Sequence, residues 1–369
     1  MKKIIITALI LISIISCNSK KTDNTEVTTD TNAINTNNTE ISNNNDEYVE
    51  DNNTEEINTD TAEISESGIE VSEWDLEAFN ELKNVKDAQS LKSWEEKNGE
   101  RSLIMALQYG DKKMVMELLS YGANVNQNYD INSPLKIASA KGDLELVKEF
   151  IKRGADVNDK SEGGFDALFS AVMSTNENSL KIMKELLDAG AEVDVGYGYE
   201  EITPILFEAI GYVGKSRCYL DKFKMLAEYG ADINYVDNYG YPLINYAVQS
   251  GCLDIVKYLV SKGIDPAMKY ELEEYYPNIN ISLLAGTLYN SDTEMAKYLI
   301  EQGADVNTPI PSEDGYPLLL QAIDNGKTEL VKLLIEKGAD TTVVNKEKKT
   351  VFDIAREKNY DDILELENK

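Results

Sequence analysis

The chain has 369 residues, a formal net charge of −30 at pH 7 and no histidine. This charge argues against a nucleic-acid partner, because binding nucleic acid requires clustered lysine and arginine side chains. The lack of histidine excludes serine–histidine and cysteine–histidine catalysis and histidine-ligated metals, and the sequence has no glycine-rich phosphate loop or calcium-binding loop. Carboxylate pairs stay open as a catalytic device, but none has a spacing that calls for one, so we expect no catalysis, cofactor or metal.

Residues 1–16 are typical of a signal peptide. Two lysines precede an apolar run at 4–15, which is too short to span a bilayer as a helix. The junction Ser16-Cys17 resembles the bacterial lipobox, in which the cysteine thiolate takes a diacylglyceryl group and becomes the mature N-terminus. The resemblance implies lipidation of Cys17 and anchoring in a bacterial cell envelope, with the outer membrane favoured because Asn18 is not the Asp of inner-membrane retention. An ordinary secreted protein and an uncleaved or cytosolic protein are the alternatives.

Residues 17–73 begin with the lipidation site, and the remainder of this segment is rich in Asn, Thr, Asp and Glu. From residue 18 to 73 the chain has 15 acidic residues and two lysines. Such a segment has too little apolar surface to fold, and its charges repel one another. We expect a disordered acidic tether, and a spacer of no particular length is the alternative.

Residues 74–97 form the next segment. Trp74, Phe79, Leu82, Leu91 and Trp94 lie at the spacing of one or two amphipathic helices. The segment is charged enough to cover one end of a repeat array, so we expect an N-terminal helical cap.

A repeated unit organises the rest of the chain, and residues 315–342 show it most clearly. Two short apolar patterns of helical spacing each end at a glycine, Gly326 and Gly338, and Thr328 is expected to cap the second helix. Isolated helices shorter than about 12 residues are marginal in water, so the pair needs neighbours. The closing glycine of the second helix recurs at Gly122, Gly154, Gly190, Gly230, Gly263, Gly303 and Gly338. A small residue marks the middle of the first helix at Ala106, Ala138, Ala171, Ala209, Ala247, Thr287, Ala322 and Ala355.

The unit resembles the ankyrin repeat. After the closing glycine the chain reads Ala-Asn/Asp-Val/Ile-Asn in several units, as at residues 155–158, and Ser133-Pro134-Leu135 keeps part of the family's Thr-Pro-Leu-His motif. The resemblance implies an all-α fold, an α-solenoid of about eight helix-turn-helix units. The expected repeats are 98–130, 131–160, 161–200, 201–237, 238–280 with a long connection, 281–312, 313–345 and a C-terminal capping repeat at 346–369.

Insertions lengthen two turns and one connection of this array. Residues 174–178 and 211–220 lengthen the turn between the two helices in repeats 3 and 4, and 268–280 lengthens the connection between repeats 5 and 6. In ankyrin proteins these inter-repeat connections form β-turn fingers that line the concave binding face. Per-repeat insertions often lie on the binding face of solenoids.

Tyrosine is common in the finger segments and defines our candidate partner-binding site. Tyrosine offers a large contact area with few rotatable bonds and is enriched at interface hot spots. We therefore expect a recognition surface, and the alternative is that the rings pack between adjacent fingers and stiffen the stack. The residues are Tyr129, Tyr197, Tyr199, Tyr235, Tyr239, Tyr241, Tyr270, Tyr275, Tyr276 and Tyr316.

Two cysteines lie inside the array, Cys218 in the insertion of repeat 4 and Cys252 before the second helix of repeat 5. Helices of adjacent repeats pack 8–10 Å apart, whereas a disulfide needs Cα atoms within about 7 Å. A disulfide would therefore require the insertion to fold inward, and free thiols are the alternative.

Together these features predict a non-catalytic interaction scaffold. We expect a monomeric, lipid-anchored protein that binds a protein or peptide, with basic partners favoured by its negative charge, although the charge is also explained by solubility alone. Its contact with the membrane is expected through the lipid anchor only. The alternative is a surface-exposed structural or adhesive protein that contacts host material or acts as a spacer, and protease accessibility on intact cells would separate the two.

Overall fold

The computed structural model describes residues 73–129, 132–160, 165–194, 196–197, 203–212, 215–272, 276–289, 293–312 and 314–367. The expected signal peptide, the lipidation site Cys17 and the acidic tether lie outside these residues. The chain divides into two compact units, Met1–Val85 and Lys86–Lys369. None of the helices in the described part has the length and hydropathy needed to cross a bilayer.

The described part of the first unit contains one helix, Glu73–Leu82. Ala78, Phe79 and Leu82 are buried, whereas Trp74 and Leu76 are exposed. The second unit begins with a helix at Ala88–Asn98, which starts in a capping box between Asp87 and Ser90. The prediction of one or two amphipathic helices in this region is therefore confirmed.

The remainder of the second unit is built from helix pairs, which confirms the mostly helical repeat fold. In repeats 1 to 4 the pairs are Ser102–Tyr109 and Lys112–Ser120, Pro134–Lys141 and Leu144–Lys152, Ala167–Met173 and Ser179–Asp188, and Leu206–Ile210 and Leu220–Glu228. In repeats 5 to 8 they are Leu243–Gln249 and Leu253–Ser261, a 3₁₀ helix at Leu283–Leu288 and Thr293–Glu301, Leu318–Asp324 and Thr328–Glu336, and Val351–Lys358 and Asp361–Leu364.

The helices form two layers. Each first helix packs on the first helix of the next repeat from repeat 1 to repeat 8, and most second helices pack on their neighbours in the same way. The small residues predicted for the middle of the first helices are all buried, from Ala106 at 1% exposure to Ala355 at 0%. A larger side chain at these buried positions would have to displace the residues packed around it.

The second helices end as predicted, at glycines in the left-handed conformation. Gly154 has φ 85°, and Ala155 N–H then donates to Phe150 O at 2.9 Å, which closes the helix. The same conformation occurs at Gly122, Gly190, Gly230, Gly263, Gly303 and Gly338. Each of these helices is therefore closed by the same type of backbone turn and hydrogen bond.

Two local expectations need correction. Thr328 is the first residue of its helix rather than its cap, because Lys327 occupies the N-cap position and makes no side-chain capping bond. The first helix of repeat 6 is a 3₁₀ helix rather than an α-helix. Gly286 lies inside it, and a Cβ atom there would come within 3.0 Å of Val248 Cγ1, so the segment packs too closely on repeat 5 for a larger side chain.

The connections between repeats are here called fingers 1 to 7 after the repeat that precedes each of them. Each finger runs from the residue after the closing glycine to the residue before the next first helix. Finger 5 is the longest and forms an antiparallel hairpin between Lys269–Leu272 and Tyr276–Ser282. Finger 3 has a two-residue pairing of Gly196–Tyr197 with Thr203–Pro204. The insertion of repeat 4 forms a third small hairpin, Gly211–Tyr212 with Lys215–Ser216.

Candidate protein-interaction surface

A ladder of side-chain hydrogen bonds fixes the base of the fingers to one another. Asn158 of finger 2 donates from Nδ2 to Gly190 O at 3.1 Å and accepts at Oδ1 from Glu192 N–H at 2.9 Å. Asn126 makes the equivalent bonds to Gly154 O and Asp156 N–H, one repeat earlier. These asparagines are the last residue of the Ala-Asn/Asp-Val/Ile-Asn signature. The signature therefore sets the position of each finger relative to the next.

The ladder continues along the array, with Asp194 in place of asparagine at one rung. Asp194 accepts from Asp232 N–H at 2.9 Å, and Asn307 accepts from Asp340 N–H at 2.8 Å. A carboxylate can replace the amide as acceptor but cannot donate to the closing glycine carbonyl. The rung at Asp194 therefore has one bond where the rung at Asn158 has two.

The tip of finger 4 is held by one carboxylate. Asp237 Oδ1 accepts from Tyr239 N–H at 2.9 Å and from Tyr241 N–H at 2.8 Å. Gly240 completes the loop with φ 92°, and a Cβ atom there would meet Glu271 O of finger 5 at 2.9 Å. Glycine is thus required both for the backbone conformation and for the close approach of the next finger.

Fingers 6 and 7 repeat this tip with other residues. Ser312 Oγ accepts from Tyr316 N–H at 2.8 Å, and Asn345 Oδ1 accepts from Lys349 N–H at 2.9 Å. Gly315 and Lys348 occupy the position of Gly240, with φ values of 59° and 60°. The loop geometry is therefore shared even though only two of the three tips contain the Gly-Tyr sequence.

An aromatic cluster lies beneath the tip of finger 4. The Tyr246 hydroxyl donates to Asp237 Oδ2, and its ring lies 4.6 Å from that of Phe207. Tyr241 lies 5.8 Å from Tyr270 of finger 5, measured between ring centroids. The cluster joins the first helices of repeats 4 and 5 to two fingers, so it stiffens this part of the array.

The predicted tyrosines therefore divide into different environments. Tyr129 and Tyr239 are exposed, at 45% and 39% of their surface, whereas Tyr270 is buried at 8%. Tyr235, Tyr241 and Tyr316 are half-buried. Tyr197 and Tyr276 lie in finger strands whose side chains the structure does not describe, and Tyr199 and Tyr275 lie outside the described residues.

Hydrogen bonds and ring contacts account for the buried members. Tyr270 OH donates to Asn245 Oδ1 at 3.0 Å, and Tyr316 OH donates to Asp324 Oδ2 at 2.9 Å. Tyr235 lies edge-on to Phe207 at 5.7 Å. These contacts match the packing alternative. Among the predicted tyrosines whose side chains the structure describes, the exposed rings of Tyr129 and Tyr239 are the ones that present area to a partner.

A family model described as "Ankyrin repeats (3 copies)" matches residues 71–161, 103–197, 168–270 and 283–366, which together exceed half of the chain. The chain belongs to the ankyrin-repeat family. Ankyrin repeats generally mediate protein–protein interactions and are typically not catalytic.

Solved ankyrin structures resemble this chain. The human ASB11 ankyrin repeat domain is 23% identical with a TM-score of 0.49, and the match covers 60% of this chain and 91% of that one. The ankyrin repeat domain of Bcl-3, a member of the IkappaB protein family, is 23% identical with a TM-score of 0.48, and covers 64% of this chain and 100% of that one. A comparison with curated protein sequences gave no match.

Two exposed apolar residues of the ankyrin fingers were not predicted from the sequence. Val236 is 54% exposed beside the tip of finger 4, and Val344 is 50% exposed beside the tip of finger 7. Valine in a strand-like segment normally indicates burial, so composition gave no reason to select them. The signal that was available is their position directly before the tip-holding residues Asp237 and Asn345.

The fingers carry an excess of negative charge. Lys160 and Lys269 are the only basic residues in fingers 2 to 6 of the sequence. Both are engaged by the next finger, Lys160 with Glu192 at 3.0 Å and Lys269 with Asp305 at 2.9 Å. The hydrogen bond from Lys269 holds the pKa of Asp305 below its usual value, so this carboxylate stays ionised. The finger face of these repeats is therefore acidic.

Three tyrosines, Tyr246 and Tyr270 of the cluster and Tyr316 of finger 6, stay neutral near pH 7. Burial raises the pKa of Tyr246, and the hydrogen bond to Asp237 raises it further. Burial likewise raises the pKa of Tyr270 and of Tyr316. These hydroxyls act as hydrogen-bond donors rather than as bases or nucleophiles. Among the described residues no group of carboxylates and cysteines is arranged to hold a metal ion.

Proposed function

We propose that this ankyrin array binds a basic protein or peptide through the tips of its fingers. The observation that carries the proposal is the exposure of Tyr129, Tyr239 and Val236 on fingers that the hydrogen-bond ladder and the aromatic cluster hold in place. A rigid aromatic side chain loses little entropy on binding, so such residues dominate interface energies. The acidic finger face favours a partner with lysine and arginine side chains.

A comparison of three proteins tests the tip surface. The wild-type chain, the double variant Tyr129→Ser/Tyr239→Ser and the control Tyr289→Ser are used to recover partners from a bacterial envelope extract. Tyr289 is 52% exposed but follows the 3₁₀ helix of repeat 6 rather than lying on a finger. We expect the wild type and the control to recover the same partner and the double variant to lose it. Equal recovery by all three would show that the tips are not the binding surface.

The basic character of the partner has a separate test. A partner that binds the acidic finger face should bind more weakly as salt rises, because exposed charges are screened within about 8 Å at physiological ionic strength. Peptides rich in lysine and arginine should bind the wild-type chain more tightly than peptides of the same length in which these residues are replaced by acidic ones. A partner that prefers the acidic peptides would contradict this part of the proposal.

We further propose that the protein is a bacterial lipoprotein of the cell envelope, anchored through Cys17 on the extracytoplasmic side. The lipobox-like junction supports the anchor, and the Cys218–Cys252 disulfide supports an oxidising compartment. Metabolic labelling with a fatty-acid analogue tests it. The wild type and the control Cys218→Ser should be labelled, and Cys17→Ser should not. Label that persists in Cys17→Ser would exclude this anchor.

A further inference from the structure

The disulfide between Cys218 and Cys252 joins two neighbouring repeats and has one accessible side. The Cα atoms are 5.2 Å apart. Cys218 is exposed in the insertion of repeat 4, whereas Cys252 is 2% exposed at the start of the second helix of repeat 5. Cys218 is therefore the exposed side of the bond and Cys252 the buried side, so we expect an incoming thiol to approach from Cys218.

The insertion folds inward, and contacts other than the disulfide hold it there. Arg217 N–H and Cys218 N–H donate to Ile210 O at 3.0 and 3.2 Å, and Tyr219 N–H donates to Ala209 O at 2.9 Å. Ser250 Oγ of repeat 5 donates to Gly211 O at 3.2 Å. Breaking the sulfur–sulfur bond therefore leaves the surrounding structure in place, as a reversible reaction requires.

The two sulfurs differ in their surroundings. Cys252 occupies the N-cap position of the helix Leu253–Ser261. The partial positive charge at the N-terminus of a helix favours a thiolate at this position, whereas burial opposes one, so the exposure of Cys218 sets the direction of attack. Cys218 has φ 47°, a conformation that residues other than glycine rarely adopt, and the hydrogen bond from its own N–H to Ile210 O holds it there.

We propose that Cys218–Cys252 is a thiol-exchange site at which a small-molecule or protein thiol attaches to Cys218. The thiolate attacks Cys218 Sγ, a new sulfur–sulfur bond forms, and the Cys218–Cys252 bond breaks with its electron pair on Cys252. This first step has no net oxidation. A second thiolate then attacks the mixed disulfide and releases Cys218, so two electrons pass from the two thiols to the protein and the thiols leave as a disulfide.

This site is independent of the finger tips and adds a covalent mode of attachment to the array. It lies at the turn between the helices of repeat 4, whereas the exposed tyrosines lie on fingers 1 and 4. Loss of binding at the tips would leave the exchange reaction intact, and loss of exchange would leave tip binding intact.

Reaction of the intact full chain with reduced glutathione, without denaturant, tests the proposal. The mixture is quenched with iodoacetamide and the peptides are mapped by mass spectrometry. We expect glutathione on Cys218 and the alkyl group on Cys252. A disulfide that resists glutathione until urea is added, or glutathione found on Cys252, would overturn the proposal.

Two single-cysteine variants provide an independent measurement, both carrying Cys17→Ser so that one thiol remains. In Cys252→Ser the thiol of Cys218 is exposed, and in Cys218→Ser the thiol of Cys252 is buried. Because accessibility limits attack on a folded protein, we expect Cys218 to react with a chromogenic aromatic disulfide at least about tenfold faster than Cys252. Equal rates in variants with the wild-type circular dichroism spectrum would contradict the assigned direction of attack.

Discussion

Individual side chains that link one repeat to the next carry much of the specific structure of this array. Asn126 and Asn158 do so from the fingers, and lysines do so from the helices. Lys222 Nζ of repeat 4 donates to Val172 O at 2.7 Å and Ser174 O at 2.6 Å, at the end of the first helix of repeat 3. Lys358 of repeat 8 does the same for repeat 7, donating to Asp324 O at 2.6 Å. A cation suits these positions because the C-terminal carbonyls of a helix carry partial negative charge.

The ladder asparagines should be measurably stabilising. Asn158→Ala removes two hydrogen bonds between fingers 2 and 3, and we expect the free energy of unfolding to fall by about 1–2 kcal/mol. Asn128→Ala is the matched control, because Asn128 is exposed and makes a single long contact with Asp159 at 3.3 Å. Urea unfolding of the two variants measures the difference. Equal stability of Asn158→Ala and Asn128→Ala would show that the ladder has no structural role.

The buried Lys222 should make stability depend on pH in the alkaline range. Burial lowers its pKa from 10.5 to about 8, with the charge of Arg217 as the smaller cause. Between these values the unfolded chain binds more protons than the folded one, so the unfolding free energy rises with pH. The free energy of unfolding of the wild type, measured relative to that of Lys222→Met, should rise by at most about 3 kcal/mol from pH 7 to above 10. Urea unfolding across this range measures the gain. The difference in unfolding free energy between the wild type and the control Lys181→Met, at an exposed position, should stay constant with pH.

Residues with one local role were predictable, and residues whose role depends on the next repeat were not. The closing glycines and the buried alanines follow from the geometry of a single helix pair, so their spacing identified them. The exposure of Tyr239 and the burial of Tyr270 depend on how closely finger 5 approaches finger 4, which the period of the sequence does not encode. Because both residues are tyrosines, the sequence did not show that one is exposed and the other buried.

Among the secondary-structure elements, too, the features set by a local pattern were predictable and those set by packing against the next repeat were not. The helix pairs were predicted because each repeats a pattern of apolar residues and breakers. The 3₁₀ helix of repeat 6 was not predicted, because its apolar pattern is intact. Its Gly286 packs closely on Val248 and Asn245, which the sequence pattern also does not show. Insertions were located correctly, but only the structure shows that the insertion of repeat 4 turns inward and allows the disulfide.

The disulfide should stabilise the junction between repeats 4 and 5. It closes a loop with a sequence separation of 34 residues, for which chain entropy predicts about 3–4 kcal/mol. We therefore expect Cys218→Ser/Cys252→Ser to unfold at lower urea concentration than the oxidised wild type, and the reduced wild type to behave like the double variant. An unchanged midpoint for the double variant would mean that the bond adds no stability.

The molecule combines a stiff finger row with exposed apolar side chains at a few tips. Stiffness follows from the ladder, from the tips held by Asp237, Ser312 and Asn345, and from the aromatic cluster of fingers 4 and 5. A binding surface built on such a scaffold loses little conformational entropy when a partner binds. The family assignment gives the general activity of protein binding, and the residues at the tips define where we propose that it occurs.

Hydroxyl-radical footprinting of the full chain, with and without the recovered partner, tests the finger-tip surface most directly. In the protein alone, Tyr129, Tyr239 and Tyr289 should all be oxidised readily, and Tyr270 should be protected by its burial. With the partner bound, we predict that Tyr129 and Tyr239 become protected while Tyr289 is oxidised at its original rate. Protection of Tyr289 with no change at Tyr129 and Tyr239 would contradict the account.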